Sequence, residues 1–178
     1  IDDSTELGKF ITDIGSSALT LTDQKVTVDS GTKISVANAR SIAADTTGTV
    51  TASIDTAARV SALTTLYNPG GGNETNAWTV VISNADKTGS TAANLNTINS
   101  ATSVAVNLTE VTALAASDIS DLATLNTNKD GLSNRGNLAS ITLTDNGGGG
   151  LSDVDFGALA DVVAVSYTHL RAHETSLH

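Results

Sequence analysis

Apolar and polar residues alternate in five short stretches of the chain: LTLT (19–22), VTAS (50–53), VVIS (80–83), VNLT (106–109) and ITLT (141–144). In each, the first and third positions are apolar (Leu19 and Leu21, Val50 and Ala52, Val80 and Ile82, Val106 and Leu108, Ile141 and Leu143) and the fourth is Thr or Ser. A period of two with many β-branched residues predicts strands with one buried face. Around these runs a second pattern at a spacing of about three: Leu7 and Phe10; Ala57, Val60, Leu63 and Leu66; Ala92, Leu95 and Ile98; Ile119, Leu122 and Leu125; Phe156, Leu159 and Val162. Such stripes mark one face of a short helix. Ser90, Ser117 and Ser152 stand where three of the helices begin and are expected to cap their free amides. Asp follows the last two, which suits the positive end of a helix.

The predicted strands end at residues 22, 53, 83, 109 and 144, so successive ends lie 31, 30, 26 and 35 residues apart. Periods of this size signal solenoids, in which no repeat can bury its apolar face alone. The expected fold is therefore an α/β solenoid of strand-loop-short-helix repeats with a one-sided parallel sheet. Leu19, Val50, Val80, Val106 and Ile141 would form one apolar ladder under the helices. The opposite face would carry Thr20, Thr51, Val81, Asn107 and Thr142 beside Thr22, Ser53, Ser83, Thr109 and Thr144, largely a ladder of hydroxyls.

The stretches GTVTASIDTAARVSALTTLY (48–67), STAANLNTIN (90–99) and VTALAASDISDLATLN (111–126) resemble the degenerate Thr/Ala/Leu/Asn-rich repeats of very long secreted or cell-surface proteins of marine bacteria, which often sit beside calcium-binding modules. The resemblance runs over most of residues 4–163 and implies a structural segment of an adhesin-like or surface-layer-like protein, located extracellularly or at the cell surface. Its implied partners are neighbouring repeats of the same chain and surface glycans. It carries no catalytic residues onto this chain, so no enzyme is expected.

Composition agrees with a structural reading. Aromatic residues are only 3% of the chain, so the core must be aliphatic. The net charge of −10 comes from acids scattered singly, which favours solubility and disfavours nucleic acid and anionic membranes as partners. No run approaches the roughly 20 apolar residues of a membrane helix. With no cysteine there is neither a disulfide nor a thiolate metal site, and with no methionine even at position 1 the expectation is a piece of a longer protein.

All three histidines (His169, His173, His178) fall in the last ten residues. The stretch VSYTHLRAHET (165–175) resembles, residue for residue, the translated end of a transposase-based sequencing-library adapter. Residues 1–164 are thus expected to be the repeat segment and 165–178 a non-native tail, outside fold reasoning. The rival is a metal pair from His169 and His173 at i and i+4, without the glutamate after the first histidine that a zinc protease motif requires.

The remaining candidate chemistry is weak calcium binding. NTNKDG (126–131) matches the opening of a D-x-[DN]-x-[DN]-G loop with Asn126, Asn128 and Asp130 as ligands, but Asn137 stands where the closing glutamate belongs. GGGGLSDVDF (147–156) echoes a glycine-rich calcium turn with Asp153 one residue late. Asp145 belongs to a column of polar residues following the strands, with Asp23, Asn84 and Glu110. Against these stand an Asx-turn for 126–131 and a plain strand-to-helix loop for 147–156. The functional alternatives are a carbohydrate-active β-helix-type enzyme and an ice- or glycan-binding solenoid using the Thr/Ser face. Trp78 has the inward parity of Val80 and Ile82 and is expected in the core.

Overall fold

The computed structural model describes residues 1–66, 76–83 and 89–143 as a mixture of helices and small parallel sheets. In chain order the elements are α1 (Ser4–Gly15), β1 (Val26–Thr27), β2 (Lys33–Ile34), α2 (Val36–Asp45), β3 (Val50–Ile54), α3 (Val60–Leu63), β4 (Ala77–Thr79), α4 (Ala92–Ser100), β5 (Val106–Asn107), β6 (Ala113–Ser117), α5 (Ile119–Thr127), β7 (Leu132–Ser133) and β8 (Ser140–Leu143). Strand β3 pairs with β1, β2 and β4, β5 pairs with β7, and β6 pairs with β8. Every pairing among the described residues is parallel.

The predicted strands at 50–53, 106–109 and 141–144 correspond to β3, β5 and β8. The inward parity also holds: Val50, Ala52, Val80, Ile82, Val106 and Leu108 are buried, while Thr51 is exposed. Trp78 is fully buried beside them, the one aromatic side chain fully buried among the described residues. Three of the predicted helical stripes are largely inside, with Val60, Leu63 and Leu66, then Ala92, Leu95 and Ile98, then Leu122 and Leu125 all buried, while Ala57 precedes its helix and is exposed. In the N-terminal stripe Leu7 is buried and Phe10 half-buried.

The stretch at 19–22 is not a strand. Leu19 is 37% exposed, and the segment is held at the corner between α2 and β3, where the Leu21 amide donates to Asp45 Oδ2 (3.2 Å) and Thr22 O accepts the Thr47 amide (2.9 Å). The first strand lies four residues later, at Val26. The expected ladder is also displaced. Val50 opposes Val26, Val106 opposes Leu132, and Ile141 opposes Leu114. The rung at Val80 and Val106 is kept, since Val81 pairs with Asn107, but elsewhere other segments of the same alternation take the partner's place, so alternation predicts faces better than partners.

Helix α2 was not predicted, though Val36, Ala39, Ile42 and Ala43 form its buried face and Ser35 caps it by accepting the Asn38 amide (3.1 Å). The N-caps of α4 and α5 are Thr91 and Asp118, each one residue after the expected serine. Ser90 and Ser117 are instead buried. Ser117 Oγ accepts the first amide of α4, from Ala92, across 25 residues (2.9 Å) and donates to Ala115 O (2.7 Å). It caps the preceding helix, not its own.

Candidate functional site

Two described places hold residues singled out by the sequence: the turn after α5 and the outward face of the strands. At the first, Asn126 lies in the last turn of α5, half-buried, with an inaccessible Oδ1 that has no hydrogen-bond partner. Asn128 is the C-cap; its amide donates to Thr124 O (3.0 Å) and its carbonyl accepts the Gly131 amide (3.0 Å). A turn of 3₁₀-helix, Lys129–Gly131, follows and leaves Asp130 exposed. The turn is pressed onto α4, because a Cβ on Gly131 would lie 2.1 Å from Asn99 Oδ1. Asn126, Asn128 and Asp130 therefore follow one another along a helix end, with one carboxylate among them. Among the described residues no group of three or more His, Cys, Asp or Glu is placed to hold a metal ion. Asp145, Asp153 and the histidines of the tail lie outside the described residues, as do the predicted helix at 156–162 and its expected cap Ser152.

On the outward face, Thr27 and Thr51 are exposed and in register, but the next position is Ala77. A second column runs Lys33, Ser53, Thr79, and a third runs Val81, Asn107, Ser133. Hydroxyls thus alternate with a lysine, an alanine and a valine. Asn107 Oδ1 accepts from the Thr109 amide (2.8 Å), the Thr109 hydroxyl (2.7 Å) and Asn134 Nδ2 (3.0 Å).

The most constrained polar groups are ones the sequence reading passed over. Asn76 is fully buried, and its Oδ1 accepts the Val50 amide (2.8 Å) from the parallel neighbour. Thr102 is buried; its hydroxyl donates to Trp78 O (2.8 Å) and accepts the amides of Trp78 (2.9 Å) and Val104 (3.1 Å). Thr46 repeats the device, donating to Gln24 O (2.7 Å) and accepting the Gly48 amide (3.0 Å). Leaving a buried polar group without a partner is costly, and these three each satisfy backbone of an adjacent strand or its approach. Their signal was available: Thr46, Asn76 and Thr102 each stand four residues before an inward valine, at Val50, Val80 and Val106. Asn128 holds the same place before Leu132.

No helix among the described residues is long and apolar enough to cross a membrane. No protein-family model matches the chain, and neither a curated protein nor a solved structure matches it.

Proposed function

We propose that the described residues form successive coils of an α/β solenoid and that the segment is a structural spacer of an extracellular, adhesin-like protein. The observation that carries this reading is a recurring offset: Thr51 pairs with Ala77, Val81 with Asn107, and Val106 with Leu132, each 26 residues apart. A constant offset between parallel neighbours is what a chain wound into equal coils produces. The buried side chains of Asn76, Thr102 and Ser117 support it, because each bonds backbone about one coil away. The Thr/Ala/Leu/Asn-rich resemblance supports a surface location, with neighbouring repeats and surface glycans as partners. Calcium adds little at Asn126, Asn128 and Asp130, where a single exposed carboxylate stands beside Lys129.

Stretching the full chain from its two ends tests the reading. Coils held mainly by their neighbours should open in steps, each adding about 9 nm, the extended length of the 26 residues between paired strands. One all-at-once extension would count against separate coils. Release of sugar from a polysaccharide by the full chain, abolished by changing one carboxylate, would replace the spacer by the enzyme alternative.

A further inference from the structure

We infer that coils in the middle of this chain are interchangeable, so that whole coils can be removed or added at equivalent positions and the spacer length set by their number. The inference rests on the solenoid reading above and goes further, since coils can stack in order without any one being replaceable by the next.

The argument is a comparison of what each coil presents to its neighbours. Val106 and Asn107 stand directly opposite Leu132 and Ser133, inward opposite inward and outward opposite outward. The helices between them match in the same way. Helix α4 buries Leu95 and Ile98, and α5 buries Leu122 and Leu125, each 27 residues on. Both begin at an oxygen-bearing N-cap, Thr91 accepting the Asn94 amide (3.2 Å) and Asp118 the Ser120 amide (2.8 Å). Strand β8 lies against β6 with Ala113 opposite Ser140 and Leu114 opposite Ile141, so over these residues it can occupy the place of β6 with their faces kept.

Removing residues 107–132 joins Val106 to Ser133. Ser133 then takes the place of Asn107 opposite Val81, and β8 takes the place of β6. Thr102 keeps its bonds to Trp78, because both lie before the junction, whereas the Ala92 amide loses Ser117 Oγ, with Leu143 standing opposite that position. The connection at 134–139 holds one residue more than 108–112, which raises the offset from 26 to 27 at Ala113 and Leu114, and the shift of register between Leu114 and Ser117 returns it to 26.

The experiment compares two deletions in the otherwise full chain, 107–132 and the half-coil 107–119, which joins Val106 to Ser120 and so brings the rest of α5 directly after Val106. Thermal unfolding is followed by circular dichroism and by the fluorescence of Trp78. The expected result is a single cooperative transition for the 107–132 deletion, with the midpoint lowered by about 10 °C or less, and loss of the transition for 107–119. Loss of folding in both, or retention in both, overturns interchangeability. Amide exchange on the undeleted chain separates this from failure of the solenoid itself. Slow exchange at Ile82, Asn107 and Leu108, whose amides donate between strands, leaves the solenoid standing, whereas fast exchange at all three removes it.

Discussion

Strand β3 meets two different neighbours. Toward β4 the pairing is unbroken, from Thr51 with Ala77 to Ser53 with Thr79, at one offset. Toward the N-terminal side its first two residues pair with β1 at an offset of 24, and its last two pair with β2 at an offset of 20. The four residues of difference, 29–32, loop out as a turn in which Asp29 O accepts the Thr32 amide (2.9 Å) and Asp29 Oδ1 accepts the Gly31 amide (2.8 Å). Parallel strands thus tolerate an insertion where it can leave through the exposed face and close its own hydrogen bonds. They tolerate it less where a buried side chain, such as Asn76 or Thr102, spans from one strand to the next and makes the spacing explicit.

Two substitutions and a deletion sharpen this contrast. The largest effect is expected for Thr102→Val, which keeps the shape but strips Trp78 and Val104 of a buried partner. It should cost about 2–4 kcal/mol, read from urea unfolding followed by Trp78 fluorescence. A cost under about 0.5 kcal/mol would mean that the hydroxyl does not hold the register. Gly48→Ala comes next. A Cβ there would stand 2.5 Å from both Asp23 O and Gln24 O, so backbone must move, and a loss of about 1–3 kcal/mol is expected in the same measurement. The smallest effect is expected from deleting residues 29–32. It joins Val28 to Lys33 so that a single strand can face β3, with Val28 and Ile34 still inward. The lost bonds from Asp29 N to Ile1 O and from Thr32 Oγ1 to Asp2 O are at the exposed edge, and stability should stay within about 1 kcal/mol. A loss as large as that of Thr102→Val would show that the turn, and not the staples, organises this side of the sheet.

Much of the interior was legible from alternation alone. Val50 and Ala52, Val80 and Ile82, Val106 and Leu108 are inward because a strand over a one-sided core leaves no other arrangement. Partners were legible at one rung only: Val81 faces Asn107 as the ladder predicts, but shifting a strand by two or four residues leaves the alternation intact, and Val106 also faces Leu132, a residue in no predicted strand. Leu19 and Leu21 show the opposite failure. They alternate with threonines as well as any true strand, yet the Asp45 carboxylate and the Thr47 amide hold this segment away from the sheet. Helix α2 escaped notice because two of its four buried residues are alanines, which carry a weak apolar signal. For the candidate calcium ligands, spacing correctly located a turn at 126–131, but not that Asn126 would still be helical and half-buried. Buried polar residues such as Asn76 look like any loop asparagine in a chain this rich in Asn, Ser and Thr; only the recurrence four residues before an inward valine sets them apart.

The bond from the Ala92 amide to Ser117 Oγ has a consequence for how such a chain is made. Translation delivers residues in order, so α4 leaves the ribosome with its first amide unmatched and waits for 25 further residues before the serine arrives. The Val50 amide waits for Asn76 and the Trp78 amide for Thr102 in the same way. Each newly made stretch is therefore finished by the one synthesised after it, and the growing end of a nascent chain always carries a section whose hydrogen bonds are still owed.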